Sequence, residues 1–486
     1  MSSAPVLLWF RQDLRLADHR ALAAAIAAAR PIVPVFVLDD ETPSEWRMGG
    51  ASRWWLHQSL AALSRDLERL GSRLVLRRGQ AIDVLETLAE ETGAEAVYAS
   101  RCYEPRARRL EDHIARRFEA IGKTFRRFAG GLLFEPEVPT TKAGEPFRVF
   151  TPFYKACLAL DPPKAPLPRP DKRLPSPESW PGSDDLEDWE LLPTKPDWAG
   201  GMRETWEPGE AGAEKRLLRF LDMAMAGYSD KRNRPDIEGT SRLSPHLHFG
   251  DISPHRCWHA VEERLASADD GRGESGGRSF LRELVWREFS YHLLFHWPDL
   301  PEKAFRPEFE DFPWDEDATA LAAWQRGRTG YPIVDAGMRE LWETGWMHNR
   351  VRMVTASFLI KHLLIPWQAG EDWFWDTLVD ADLASNSASW QWVAGSGADA
   401  APYFRIFNPM LQSKKFDPKG DYIRRYVPEL AELPTEHLHA PWEASADVLK
   451  AAGVKLGESY PKPLVDHGLA RKRALEAYEV IRRAER

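Results

Sequence analysis

The sequence predicts two folds in one chain, an α/β domain on a doubly wound parallel sheet followed by an all-α domain. Three observations carry the prediction. Between residues 6 and about 130, short β-rich apolar runs alternate with segments of helical period. Residues 161–210 are crowded with acidic side chains and proline, as in Asp161-Pro-Pro-Lys-Ala-Pro-Leu-Pro-Arg-Pro170, which reads as an irregular connector. Beyond it, apolar positions recur at helical spacing and no strand of convincing alternation appears. The expected division is an α/β domain over 1–132, a connector over 133–210 and a helical domain over 211–486, in keeping with a 486-residue chain that is too long for one ordinary core.

Taken in order, Val6–Phe10 is the first strand: its apolar run stops at Arg11, Asp13 and Arg15, which a secretory segment would not do. There follow an Ala-rich helix near 18–29, a strand over Pro31–Leu38, a helix near 50–70, a strand over Arg73–Leu76, a helix near 81–92, a strand over Ala96–Ala99, a helix near 106–121 and a strand over Thr124–Phe128. Strands joined by helices imply parallel neighbours, and such a sheet holds ligands beyond its strands' C-terminal ends. No G-x-G-x-x-G follows the first strand, so a dinucleotide fingerprint is absent there. In the second half, Glu214–Gly227, Pro254–Ser267, Ser279–His296, Ile333–Thr344, Met347–Leu364 and Asp372–Val379 have helical spacing, and a basic helical pattern runs near Arg471–Arg486.

No run of about 18 apolar residues is present to span a bilayer. Three scattered cysteines, Cys102, Cys157 and Cys257, suit neither a disulfide framework nor a zinc site, and a cytoplasmic protein is expected. The net charge of −9 gives no general affinity for nucleic acid, but a local basic face suffices to neutralise phosphates. Its candidates are Arg350, Arg352, Lys414, Lys415, Lys419, Arg424 and Arg425, each of which alone is better read as solvated surface charge.

The most chemical stretch is Asp380-Ala-Asp382-Leu-Ala-Ser-Asn386-Ser-Ala-Ser-Trp390-Gln-Trp392. Two carboxylates, an amide and two indoles are costly to bury together without a ligand, and a flat polar heterocycle supplies both hydrogen-bond partners and stacking surface. If the segment is helical from Ser385, Trp390 and Trp392 diverge by about 200° and face different neighbours. Glu283, Trp286 and Arg287 share one helical face, as do Asn349, Arg352 and Met353. An ordinary surface ion pair and a gap-filling Met are the bland alternatives. Gly239-Thr240-Ser241-Arg242-Leu243-Ser244-Pro245 gathers hydroxyls and a guanidinium around a turn before a helix start, either a plain cap or a diphosphate cradle. His246, His248, His348 and His362 form no metal-ligand pattern.

Six ordered blocks, Gly239–Pro245, Glu283–Phe289, Thr329-Gly-Tyr-Pro-Ile-Val-Asp-Ala336, Gly345-Trp-Met-His-Asn-Arg350, Asp380–Trp392 and Tyr403-Phe-Arg-Ile-Phe-Asn-Pro409, resemble the photolyase/cryptochrome family. The similarity runs from Trp9-Phe-Arg-Gln-Asp-Leu-Arg15 to Tyr460-Pro461. It implies an antenna domain followed by a helical FAD- and DNA-binding domain. Carried over by position, it implies that Tyr228, Thr240, Ser241, Arg242, Leu243, Ser244, Phe280, Glu283, Arg287, Asn349, Arg352, Asp380, Asp382 and Asn386 bind FAD, with Asn386 near flavin N5 and Arg352 paired with Asp380. Glu283, Trp286, Asn349, Met353 and Trp392 match lesion-contacting, catalytic positions, in a family known for flipping the damaged bases out of the duplex to reach them. Trp390, Trp367 and Trp314 match a tryptophan chain that brings electrons from the surface. Arg350, Arg405, Lys414 and Lys415 are the residues expected to bind DNA.

The resemblance thus implies light-driven splitting of cyclobutane pyrimidine dimers in DNA by an electron from photoexcited reduced FAD, with Glu283 hydrogen-bonding the dimer. Relatives that repair 6-4 lesions carry a catalytic histidine where this chain has Asn349-Arg-Val-Arg-Met353. The alternative is a cryptochrome-like blue-light signalling flavoprotein, whose members often append a long disordered tail, and since this sequence stops soon after the last block, repair is the expectation; for a dark flavin oxidoreductase there is no candidate substrate site. Departures are Ser387-Ala388-Ser389 where many relatives have Asn-Gly-Gly, Phe280 at an adenine-side position that is often Trp, and Tyr103-Glu104-Pro105-Arg106 without the Asn-Glu of folate-using relatives. A second chromophore in the N-terminal domain is expected, a folate or a deazaflavin, the folate favoured. The expected partner is dimer-containing DNA, with no metal, no membrane and no obligate protein partner, and the expected state is a monomer.

Overall fold

The computed structural model describes residues 4–42, 46–267, 271, 273–399 and 404–484. The chain forms two compact units, each visited more than once: Met1–Trp198, Trp206–Ala226 and Ser241–Pro298 make the first, and Ala199–Thr205, Gly227–Thr240 and Asp299–Arg486 the second.

The first unit is built on strands β1 (Val6–Phe10), β2 (Ile32–Leu38), β3 (Val75–Arg78), β4 (Ala96–Ser100) and β5 (Thr124–Phe128). All neighbours are parallel, in the order β3-β2-β1-β4-β5, with Val6 opposite Ile32 on one side and Ala96 on the other. The doubly wound α/β sheet is therefore present. Continuous apolar runs suit strands covered on both faces, and β1 and β2 are buried at every residue, whereas the edge strand β5 exposes Thr124, Arg126 and Arg127. Helices α1 (Arg20–Ala27), α2 (Gly50–Arg69), α3 (Ala81–Glu91) and α4 (Pro105–Ala120) join the strands, and α5 (Phe150–Leu158), α6 (Glu210–Met223), α7 (Pro254–Ala266) and α8 (Glu274–His296) complete the unit.

The proline-rich stretch is irregular but not loose. Leu174 N–H donates to Leu70 O, Asp184 N–H to Leu76 O, and Ile32 N–H to Pro175 O, at 2.8–2.9 Å. Its regular structure is limited to a turn of 3-10 helix at Glu187–Trp189 and, in the second unit, the short helix Gly200–Thr205.

The second unit is helical: α9 (Ala318–Gln325), α10 (Pro332–Thr344), α11 (Asn349–His362), α12 (Trp367–Thr377), α13 (Leu383–Ala394), α14 (Pro409–Phe416) and α15 (His467–Ala484). One apolar core contains Trp324, Trp367, Trp390, Tyr422 and Tyr460. The Thr329–Ala336 block owes its composition to Asp335, whose fully buried carboxylate accepts from Thr329 N–H, Thr329 Oγ1, Gly330 N–H and Tyr460 OH, the last at 2.6 Å. These donors answer the desolvation that pushes the Asp335 carboxyl pKa up.

Candidate functional site

The candidate residues divide between the two units. In the second, Asp382 is the N-cap of α13: its side chain accepts from Ser385 N–H at 2.7 Å, satisfying a donor that a helix start leaves unpaired. Asp380, two residues earlier, accepts from Arg352 Nη2 through both oxygens, at 2.9 and 2.8 Å, while Arg352 Nε is held by Met347 O. Asn349 is exposed at the first turn of α11, Met353 is half-buried one turn later, and Tyr228 is buried beneath the Arg232 guanidinium. Thr240 is half-buried.

Asn386 lies one turn into α13. Its Nδ2 donates to the backbone carbonyl of Glu371 on α12, at 3.1 Å, which leaves Oδ1 as the acceptor end of the amide. Ser387 Oγ donates to Glu371 Oε1, and Glu371 Oε2 is buried without a hydrogen-bond partner among the described residues. Burial pushes the Glu371 carboxyl pKa well above the ordinary carboxylate range, and the Ser387 hydroxyl pulls it back only in part. Nothing in the sequence of α12 separates Glu371 from the surface carboxylates around it; only the packing does.

Trp390 and Trp392 differ as their spacing on a helix requires: Trp390 is buried and Trp392 half-buried. Trp390 has Phe374 and Trp324 at 4.9 and 6.3 Å between centroids. Its ring also explains Gly370: a Cβ there would lie 2.2 Å from Trp390 Cη2. Trp367 is buried at the start of α12, and half-buried Trp314 packs on Phe312 at 4.3 Å.

A basic cluster is also in this unit. Arg350 donates through Nε and Nη2 to Asn233 Oδ1, at 3.3 and 2.8 Å, and its guanidinium covers Phe416. Burial, then repulsion from Arg232 and Arg405, holds its pKa below the usual arginine value. Arg405, Lys414 and Lys415 are exposed. Arg232 and Asn233 are not distinguishable from other loop residues in the sequence; their proximity to Arg350 identifies them. Tyr403 lies outside the described residues.

In the first unit, Ser241 and Arg242 are half-buried, Leu243 is buried and Ser244 is exposed, and Pro245 is the second residue of the short helix Ser244–Phe249. Arg242 has φ +51°, a left-handed conformation unusual for a residue with a side chain, and such backbone gathers at ligand clamps. Glu283, Trp286 and Arg287 are half-buried on α8, and Phe280 is buried against Phe220 at 4.5 Å. Arg287 Nη1 donates to Gly131 O and pairs with Glu288 at 3.2 Å, below a cation–π contact with Tyr291. Glu288 accepts from Leu133 and Phe134 N–H, and burial pushes its pKa up to about 7.

Where the strand order reverses, at the C-terminal ends of β1 and β4, Arg11, Asp13, Arg15, Ser100, Cys102 and Arg287 line a cavity of ≈ 30 Å³. That is room for about two water molecules and far below the volume of a chromophore site.

Residues 6–171 match the family profile described as DNA photolyase, and residues 280–480 the FAD binding domain of DNA photolyase. A deoxyribodipyrimidine photo-lyase of Agrobacterium fabrum is 52% identical over 99% of this chain and 99% of its own length. The chain belongs to the photolyase/cryptochrome family. A class III photolyase of known structure from Agrobacterium tumefaciens superposes with a TM-score of 0.95 over 99% of this chain and 98% of its own, at 52% identity. Cryptochrome-1 of Arabidopsis thaliana is 40% identical over 97% of this chain and 70% of its own length.

The residues present fit a photolyase-type flavin. Asn386, tied down through its nitrogen, would keep an amide oxygen for a ring N–H, and Glu371 Oε2, unpartnered among the described residues, marks polar capacity beyond what the local fold uses. Arg352, paired with Asp380, would place a guanidinium beside such a ring.

Proposed function

We propose that the protein splits cyclobutane pyrimidine dimers in DNA under blue light, with FAD as its resident cofactor. The observation that carries the reading is the composition of α13, which presents an anchored amide at Asn386, a buried indole at Trp390 and a half-buried indole at Trp392 within two turns. When bound, FAD supplies light absorption and the electron that opens the cyclobutane ring.

The protein's own residues do the rest. Tyr228, Thr240, Ser241, Arg242, Leu243, Ser244, Phe280, Arg287, Asp382 and Asn386 hold the cofactor, and the Arg352–Asp380 pair sets the charge beside it. Trp286 and Trp392 stack on the flipped-out bases, and Glu283 hydrogen-bonds them, with Asn349 and Met353 completing the contact. Arg350, Arg405, Lys414 and Lys415 neutralise DNA phosphates despite the acidic whole. Trp314, Trp367 and Trp390 form the path for an electron entering from the surface. An antenna chromophore, folate or deazaflavin, binds outside the small cavity at the strand ends.

The test is to illuminate the reduced, FAD-loaded protein with an irradiated oligonucleotide and count dimers. Restored thymines are expected. Unchanged dimer content would favour the second reading, a cryptochrome-like signalling flavoprotein, for which the 40% identity to a plant cryptochrome speaks.

A further inference from the structure

One aromatic contact in the first unit lies outside every role assigned above. Phe150, the first residue of α5, is 1% exposed, and its ring lies 3.5 Å from that of Trp286 between centroids, at an interplanar angle of 7°. One turn along α5, Tyr154 stacks on Phe150 at 5.7 Å and 23°, and the Arg282 guanidinium sits 5.5 Å from the Phe150 centroid. Phe289 meets both Phe150 and Trp286 edge-on, at 5.8 and 5.9 Å.

Two aromatic rings left to themselves prefer an offset or edge-to-face arrangement to such close parallel overlap. The plane of Trp286 is therefore imposed by its surroundings: Phe150 against one face, Phe289 at the edge, and the Tyr154–Arg282 pair fixing Phe150 in turn. The indole stays half-buried, so Phe150 does not take it out of use.

We infer that Phe150 is a positioning residue that fixes the plane of Trp286, so that the indole meets a pyrimidine dimer as a rigid platform. The inference rests on the reading of Trp286 as a lesion contact. An indole held in one rotamer loses little further freedom when a base stacks on it, while a loosely held one must be ordered on binding.

The experiment compares FAD-loaded wild type, Phe150→Leu, Trp286→Ala and the double variant, titrated with dimer-containing and undamaged oligonucleotides of one sequence. Phe150→Leu is expected to weaken dimer binding about 5- to 10-fold, the size of an aromatic pair's specific contribution. Binding of undamaged DNA stays unchanged, and in the Trp286→Ala background the same substitution changes dimer binding less than about twofold, because the platform is already gone. Phe150→Tyr, which keeps the flat face, restores dimer preference. Flavin absorbance and thermal unfolding are recorded for each variant, and Phe150→Met, of similar volume but without a flat face, replaces the leucine if that variant does not fold. Equal weakening on both DNAs, or an undiminished effect in the Trp286→Ala background, makes Phe150 a core residue only and overturns the inference. If Trp286→Ala itself leaves dimer preference intact, the lesion-contact reading fails, and the platform fails with it.

Discussion

Arg352 grips both carboxylate oxygens of Asp380 with a single nitrogen, and the carboxylate is 5% exposed while the arginine is 24% exposed. Removing one charge from such a pair leaves the other poorly solvated, at a cost of about 3 kcal/mol. Asp380→Asn is expected to lose roughly that much stability and most of its FAD, read from urea denaturation and from flavin absorbance after gel filtration. Full flavin content in this variant would remove the pair from the cofactor site.

Glu288 has a pKa raised from 4.5 to about 7 by burial. A raised acid is neutral in the folded protein while the unfolded chain ionises it, so its contribution is complete below about pH 4.5 and is lost as the pH rises through 7. Glu288→Gln has no such proton, and its stability should gain on wild type by about 3 kcal/mol across that window. Groups that titrate alike in both proteins, such as His292, cancel in the difference. Parallel stability curves from pH 4.5 to 7 would show that the carboxyl is ionised when folded.

Gly370→Ala puts a methyl carbon 2.2 Å from Trp390 Cη2. At 2.2 Å the two atoms cannot both stay, so the indole or the helix must shift. Overpacking of this kind costs about 1–3 kcal/mol, and photoreduction should slow if Trp390 belongs to the proposed electron path, because its distance to its neighbours changes. A variant with wild-type melting temperature and photoreduction rate would mean the core is looser there than the contact implies.

Trp392→Ala should weaken dimer binding by about 1–3 kcal/mol, the worth of a stacked base, without loss of flavin. Equal loss of both would make Trp392 a support of the fold.

Trp314→Phe should abolish photoreduction in vitro, while chemically reduced protein still repairs dimers. Undiminished photoreduction would require the electron to enter elsewhere.

The sheet is readable because β1, β2 and β4 are short apolar runs that stop just before or within one residue of a charge, while β3 and β5, which carry arginines, are placed by the alternation with helices; α10 and α11 are readable because apolar positions keep one period between identifiable ends. Helix boundaries are less so. α12 begins at Trp367, just after Pro366, earlier than the apolar period around Asp372 suggests, and α13 begins at Leu383 because the Asp382 side chain caps it. α5 gives no comparable signal: Pro152 falls in its first turn, where proline is tolerated but reads as a breaker. Of the site, residue types are legible and partners are not. The Asp380–Arg352 pairing comes from family resemblance, whereas Glu371, Asn233 and Phe150 acquire meaning only from neighbours distant in the chain.

The hydrogen bond from Tyr460 to Asp335 sets an order on synthesis. While the ribosome is still making residues 336–459, the Asp335 carboxylate lacks its phenol, and closing the core around it leaves a polar group short of a donor. The helical unit therefore completes its packing only after Tyr460 has left the exit tunnel, and nascent chains stalled before that point should remain open to protease.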